Sequence, residues 1–415
     1  MASRSVTFPG GFRAAGGTCG IKESGRPDLC LIVSNPGTSC VAAGVFTSNA
    51  IVGAPVKLGR QHLQKRGGES FRGIVCNSGN SNVATGAQGD ADALAMCQAA
   101  ADALGCEASA ILPASTGVIG RPLPIEKITA GIPSIAEQLA AGAQADADAA
   151  AAILTTDLVA KPAALRSDAG YTLGGIAKGS GMIAPSFAPG TSFATMLAFI
   201  TTDVKLTPSQ AQAALQHAAG RSFGRISVDT DTSTSDTVYL LANGDSGVAI
   251  DTDEQFKAFT RELTELCNHL AQQIIRDGEG ATKVFAVHVT HAANEEDADA
   301  IGRAVAESPL VKTAVHGGDP NWGRLAMAVG KARRHDGVPI ALDPRKLVLS
   351  IGDTVVYRDE VPIHFTPDVE QHLEAAMAGP DISFTIDLNA GDLQATWFGC
   401  DLSRQYVTIN ADYTT

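Results

Sequence analysis

The chain has 415 residues, 45% of them hydrophobic and 18% charged, with a formal net charge of −13. That length exceeds what one hydrophobic core usually serves, so two domains or two large lobes are expected in a globular, ordered chain. The acidic balance argues against nucleic acid or an anionic membrane as the main partner, yet leaves room for an anionic metabolite, because one lysine or one helix N-terminus can reverse the local field. The eight cysteines are scattered, with no Cys-x-x-Cys pair, and no signal-like leader or apolar run long enough to cross a bilayer occurs. Reduced thiols and a cytoplasmic location are the expectation.

The first third alternates β-branched runs with turns, and Cys30 to Val33, Val41 to Phe46 and Gly73 to Cys76 read as strands. An Ala-rich helical pattern runs from about Asp90 to Leu104 and stops at Gly105. A short strand at Ala110 to Leu112 leads into Ser115-Thr116-Gly117-Val118-Ile119-Gly120, expected as a tight turn. The Ala/Asp-rich stretch from Ser134 to Ala152 reads as a surface helix rather than a linker. After Thr195 comes a strand-like run through Ile200, and Thr207-Pro208 then caps a helix to about Ala218. From Asp253 to Arg276, Phe256, Phe259, Leu263, Leu266, Leu270 and Ile274 recur at helical spacing and mark one buried face. Strands return at Lys283 to Val289, Leu347 to Ile351, Ile382 to Asp387 and Ala395 to Phe398. Helices and strands interleave throughout, so the fold is mixed α/β.

The most informative run is Gly174-Gly175-Ile176-Ala177-Lys178-Gly179-Ser180-Gly181-Met182-Ile183-Ala184-Pro185, closed by Ala194-Thr195-Met196-Leu197. It reads as a flexible, cation-bearing loop leading into an apolar segment whose first hydroxyl follows a small residue. A threonine placed so can attack the carbonyl before it, cut its own chain and become an N-terminal nucleophile with its new α-amine as base. An α-amine titrates near about 7.7–8, so a useful fraction is neutral at pH 7. The plain alternative is a Gly-rich turn before a buried strand.

Other motifs carry two readings each. Thr116-Gly117 can present backbone N–H groups as an oxyanion hole, or be an ordinary turn. Glu279, between Gly278 and Gly280, is either an approachable carboxylate or a solvated residue in a helix C-cap. Lys178 lacks the order of a phosphate-binding loop. In His288-x-x-His291 the rings point to opposite faces of a strand, so a metal is not expected. Asp229-x-Asp231-x-Ser233 lacks the Gly and Glu of a calcium loop. Asp319-Pro320-Asn321-Trp322-Gly323-Arg324 is a turn suited to packing near a site. The tail, Asn410-Ala411-Asp412-Tyr413-Thr414-Thr415, either docks or frays.

Together these segments resemble the ornithine acetyltransferase (glutamate N-acetyltransferase) family of arginine biosynthesis, nearly end to end. The likeness also includes Ala43 to Asn49, Asn77-Ser78-Gly79-Asn80, Thr155-Thr156-Asp157, Arg225 to Asp229 and Ser308 to Lys312. The resemblance implies an αββα-type sandwich with a second α/β lobe. It implies self-cleavage between Ala194 and Thr195, giving an α chain of residues 1–194 and a β chain of 195–415 assembled as an α2β2 heterotetramer. Thr195 would take acetyl from N-acetylornithine and pass it to glutamate, with Thr116 and Gly117 as the oxyanion hole. Thr155, Lys178, Thr195, Glu279, Asn410 and Thr415 would bind substrate. No metal or tightly bound cofactor is implied, and acetyl-CoA is a second acetyl donor in the bifunctional form of the family.

One departure lies beside the expected cut. Ser186 to Phe193 add several residues to the short Pro-x-x-Ala-Thr spacing of the family and create a rival junction, Gly190-Thr191. The residues after Thr195 match the family and those after Thr191 do not, which favours Thr195. Two other function classes remain open at this level: an N-terminal-nucleophile aminopeptidase or amidase, in which water is the acceptor, and an unprocessed metabolite-binding protein.

Overall fold

The structure, a computed structural model, describes residues 4–184, 196–334, 336–340 and 342–412. They divide into two compact units, one reaching to Gly224 and adding Asp231–Ile274, the other comprising Arg225–Thr230 and the chain from Ile275. The chain begins with β1 (Phe12–Gly17), β2 (Leu29–Ser34), β3 (Val41–Phe46), α1 (Ala54–Arg66), β4 (Gly73–Asn80), α2 (Gly86–Leu104) and β5 (Ile111–Val118). Next come α3 (Ile125–Glu137), α4 (Ala143–Ala152), β6 (Lys161–Arg166), β7 (Thr172–Lys178), β8 (Leu197–Thr202) and α5 (Pro208–Gly220). The short β9 (Ile226–Ser227) precedes β10 (Thr237–Ala242), α6 (Asp253–Arg276), β11 (Val284–Ala292), α7 (Glu295–Ala306), α8 (Pro309–Gly317) and α9 (Trp322–Gly330). The chain closes with β12 (Val348–Ile351), β13 (Thr354–Arg358), β14 (Val361–Pro362), α10 (Pro367–Ala378), β15 (Asp381–Asp387), β16 (Leu393–Cys400) and α11 (Arg404–Asp412).

The first unit holds a four-stranded sheet, β1-β2-β4-β5, and a five-stranded sheet, β3-β10-β8-β7-β6. Strand β2, Leu-Cys-Leu-Ile-Val-Ser, is buried at every position. Such a run without polar alternation belongs to a strand covered on both faces. Leu29, Leu31 and Val33 pack with Met96 and Cys97 of α2 and with Ile128 and Ile132 of α3. Cys30 and Ile32 join Phe199, Tyr239 and Leu241 of the other sheet in the core between the two sheets. On the five-stranded sheet, a Cβ at Gly175 would stand 3.0 Å from Leu270 Cδ1 of α6, so the glycine admits the helix to close range. The mixed α/β class expected from the sequence is what the structure shows.

In the second unit the sheet order is β14-β13-β12-β15-β11-β16-β9. Strand β11 alternates half-buried and buried residues over most of its length, the signature of a sheet packed chiefly on one face. Val287 and Val289 meet Ile301 and Val305 of α7 and Leu325 of α9 in one core.

Three local expectations change. The Ser134 to Ala152 stretch is two helices, parted around Gly142, and α4 buries Ala145, Asp146, Ala149, Ala150 and Ala152. Alanine and aspartate composition suggested a surface, but Asp146 accepts the Ser5 and Thr7 amide N–H groups, which makes burial of its carboxylate tolerable. Thr116 and Gly117 belong to the end of β5 rather than to a turn after it. Asn410, in the tail for which only docking or fraying was expected, lies in a helix, α11. The helix limits Asp253 and Arg276, the cap at Thr207 and the stop at Gly105 appear as expected, the cap as a capping box with Gln210 and the stop with Gly105 in a left-handed conformation.

Phe259, Leu263, Leu266, Leu270 and Ile274 of α6 are all buried. Leu270→Ala should therefore cost about 2–5 kcal/mol in urea unfolding, as large-to-small core changes do. A loss under about 1 kcal/mol would mean that the helix does not seal the sheet.

Candidate active site

Strand β8 lies between β7, to which it is antiparallel, and β10, to which it is parallel. The register sets Lys178 opposite Leu197, and Leu197 opposite Thr237. The C-terminal end of β7 and the N-terminal ends of β8 and β10 therefore share one edge of the sheet. Met196 and Asp236 are the residues immediately before β8 and β10.

Lys178, almost fully buried, ends β7. Its Nζ donates to Thr155 Oγ1 at 2.8 Å and to Thr116 Oγ1 at 3.4 Å, and lies 3.7 Å from Asp157 Oδ2. Asp157 organises this corner. Its Oδ1 accepts from Lys161 Nζ and from the Gly179 amide, both at 2.7 Å, while its Oδ2 accepts the Thr155 amide at 3.0 Å. Burial alone would push the Asp157 carboxyl up. The ammonium groups of Lys178 and Lys161, with the hydrogen bonds they and the backbone supply, overrule it and hold the carboxyl well below the usual carboxylate range. Two buried lysines against one carboxylate make a cationic corner inside an acidic chain, which suits an anionic ligand group.

Gly117 is the neighbour of this cluster. Its φ of +130° is open to glycine and strained for other residues. A Cβ there would stand 2.4 Å from the Gly79 carbonyl carbon and 2.6 Å from the Asn80 nitrogen. The Asn77 to Asn80 stretch supports the corner from β4. Ser115 Oγ donates to Asn77 Oδ1 at 2.6 Å, and Asn77 Nδ2 donates to the Asn80 carbonyl at 2.9 Å. The tight turn expected at Thr116-Gly117 is instead a strand end, held by close backbone contact between the paired β4 and β5.

The sequence left four participants without a role. Asp157 belongs to the family-like Thr155-Thr156-Asp157 segment, while Lys161 four residues later carries no signal beyond an Asp-x-x-x-Lys spacing. Asp236, fully buried, accepts the Met196 amide N–H on Oδ1 at 2.5 Å. Burial pushes its carboxyl far up, opposed by that hydrogen bond and by Lys178. Lys22 is the fourth: its Nζ donates to the Pro27 and Leu154 carbonyls, and burial, Arg26 and Lys178 bring its pKa down to about 8 against the pull of Asp28. No pattern of residue types marked it beforehand.

In the second unit, Glu279 is buried and accepts from Asn410 Nδ2 at 2.9 Å, so the tail helix docks on the glycine-flanked loop. The solvated-residue alternative for Glu279 is corrected by that burial. Gly280, at φ +69°, has the Tyr406 nitrogen 2.5 Å from where its Cβ would be, which brings α11 against the loop. Tyr406 also reaches Asp229, giving that residue a structural partner. His288 meets Thr396 and His291 meets Asp387, so the two rings serve separate contacts. Asn321 caps α9, Trp322 stacks on Tyr357 and Arg324 reaches the Leu310 carbonyl, which accounts for the Asp319 to Arg324 segment as packing.

The structure thus groups Thr116, Gly117, Thr155 and Lys178 in the first unit, and Glu279 with Asn410 in the second. Ala194, Thr195 and Thr415 lie outside the described residues, as do the rival Thr191 and the added stretch from Ser186 to Phe193.

Asp157→Asn should destabilise the folded enzyme by about 3–5 kcal/mol at pH 7, because it strands two buried ammonium groups. The wild-type carboxylate titrates lower folded than unfolded. Its contribution is therefore fully present above the unfolded value of about 4 and fades as pH falls further, so the difference between wild type and variant should shrink only in acid. Urea unfolding at pH 7 and at successively lower pH checks both the size and the direction.

Comparison with known proteins follows the same lines. The ArgJ family matches residues 13–415. The arginine biosynthesis bifunctional protein ArgJ of Thermosynechococcus vestitus is 44% identical over 426 aligned positions, covering 99% of this chain and 98% of that protein. Its counterpart in Mycolicibacterium paratuberculosis is 43% identical over 419 positions, covering 100% and 97%. Among solved structures, a chain of ornithine acetyltransferase complexed with ornithine, from Mycobacterium tuberculosis, is 39% identical, with a TM-score of 0.43 over 45% of this chain and 97% of that chain. A match across nearly the whole length, at this identity, makes the chain a member of the ArgJ family.

Proposed function

We propose that this N-acyltransferase of arginine biosynthesis cuts itself between Ala194 and Thr195 and moves acetyl from N-acetylornithine to glutamate through Thr195. The observation that carries the reading is the cationic corner of Lys178, Thr116, Thr155 and Asp157 at the sheet edge from which β8 departs two residues after Thr195 in sequence. In maturation, Thr195 Oγ attacks the Ala194 carbonyl carbon, the Ala194–Thr195 peptide bond gives way to an ester, and water hydrolyses the ester. A free α-amine on Thr195 remains and serves as the base.

In turnover, Thr195 Oγ attacks the acetyl carbonyl of N-acetylornithine. Thr116 and the Gly117 backbone take up the charge that develops on the oxygen, and one donor of this kind is worth about 2.7–4 kcal/mol of barrier. The C–N bond breaks, ornithine leaves with the proton, and acetyl-Thr195 remains. The glutamate amine then attacks the ester, giving N-acetylglutamate and restoring the hydroxyl. Lys178, with Thr155, is suited to substrate carboxylate, and Glu279 with Asn410 and Thr415 to the remaining polar groups. The αββα sandwich, the two processed chains, their α2β2 assembly and a second use of acetyl-CoA as donor belong to the same proposal. No helix among the described residues is long and apolar enough to cross a membrane.

Intact-mass spectrometry with N-terminal sequencing should find two chains, the second beginning Thr-Met-Leu. Thr195→Ala should leave the chain whole and inactive, and Thr191→Ala should leave cleavage unchanged; on-schedule cutting in Thr195→Ala would sink the assignment. Initial rates varied in both substrates should give the parallel double-reciprocal lines of ping-pong exchange. Equal deacetylation with and without glutamate would instead make the enzyme a hydrolase.

A further inference from the structure

Thr155 accepts from Lys178 on its hydroxyl, yet it lies in the irregular stretch between α4 and β6, which no sheet ladder fixes. A residue in such a stretch keeps one position only when its main-chain groups are tied down. Asp157 takes the Thr155 amide. Two cations of the loop joining β1 to β2 take the neighbouring carbonyls. Lys22 Nζ donates to the Leu154 carbonyl at 2.7 Å and, within its own loop, to the Pro27 carbonyl at 2.6 Å. Arg26 Nη2 donates to the Thr155 carbonyl at 3.3 Å.

This loop is itself firmly built. The buried Asp28 carboxylate accepts the Cys19 and Ile21 amides, both at 2.6 Å, and the Lys22 amide at 3.0 Å. The Asp28 carbonyl accepts the Ser78 amide at 2.9 Å, which fastens the loop to β4. A Cβ at Gly79 would stand 3.1 Å from Lys22 Cγ, so the lysine stem runs close over that glycine. Gly79 in turn pairs with Gly117. Lys22 therefore has its stem against the strand beside Gly117 and its head on the carbonyl before Thr155. The ammonium is kept there against burial and the like charges of Arg26 and Lys178, with Asp28 the acid that favours it. Hydrogen bonds from an ionised donor are roughly twice as strong as neutral ones, which suits a fixing role.

We propose that Lys22 is a positioning residue for substrate binding: it fixes the Leu154 carbonyl, so sets Thr155, and through Thr155 aims the Lys178 ammonium at a substrate carboxylate. Arg26 assists through the Thr155 carbonyl. The inference rests on the reading of Lys178 and Thr155 as substrate-binding residues.

The test is Lys22→Met in the full chain, with cleavage read by intact mass, folding by thermal melting, and kcat and KM by acetyl transfer. Methionine keeps an apolar stem against Gly79 and removes the ammonium. The expected result is a folded, normally cleaved enzyme whose KM for N-acetylornithine rises about tenfold, the order of one lost charge-assisted hydrogen bond. Its kcat should stay within about twofold, as when binding common to ground and transition states is lost. Lys22→Arg should recover most of the KM. Adding Lys22→Met to Thr155→Val should raise KM by less than about twofold beyond Thr155→Val alone, because both act on one contact. A wild-type KM in folded Lys22→Met, or full additivity with Thr155→Val, would overturn the proposal. So would a folded variant that fails to cleave, since the effect would then lie at the junction. If Lys22→Met does not fold, Arg26→Met, which removes an exposed side chain, decides by the same KM and additivity criteria. A Lys178→Met enzyme with wild-type KM would instead remove the substrate-binding reading, a separate failure.

Discussion

The Asp157 carboxylate, buried between the ammonium groups of Lys161 and Lys178, is the interaction on which the candidate site depends. It accepts from two side-chain or backbone donors on Oδ1 and holds the Thr155 amide on Oδ2, so one acid ties the loop before β6, the start of β6 and the end of β7 together. Buried ion pairs repay their desolvation only with good geometry and further hydrogen bonds, and this one has both. The corner carries more basic than acidic side chains in a chain whose overall charge is −13. Local chemistry and global charge therefore point in opposite directions.

Strand register then decides what this corner can act on. With β8 paired antiparallel to β7 and parallel to β10, Lys178, Leu197 and Thr237 share one line across the sheet. The line places a cation, the entry to β8 and a buried acid at one edge. Across the inter-sheet core, Thr116 at the end of β5 reaches the same ammonium. Gly117 beside it tolerates no side chain, since the β4 backbone stands where a Cβ would be. The site is rigid because it is built from strand ends and buried polar bonds, which is what precise placement of a reacting carbonyl requires.

The functional reading was legible in the sequence through the cation-bearing glycine run, the small residue before Thr195 and the many family-like segments in one order. The long helix from Asp253 to Arg276 was also legible, because its apolar residues fall at helical spacing whatever they pack against. Composition misled at α4, where alanines and aspartates looked solvent-facing but are buried under hydrogen bonds from the N-terminal segment. Thr116-Gly117 looked like a turn because glycine is a turn residue; its real constraint is a neighbouring strand that sequence spacing does not reveal.

The sequence by itself determined the family, the α/β class, the nucleophile candidate and the sign of the Lys178 loop, because each follows from residue order or from a charge carried along the chain. Only the tertiary structure decided that Asp157 pairs with two lysines, that Glu279 is buried against Asn410, and that Asp236 grips the Met196 amide. These contacts join residues up to 131 positions apart. Their energies depend on burial and on strand register, and neither is a property of any short stretch of chain.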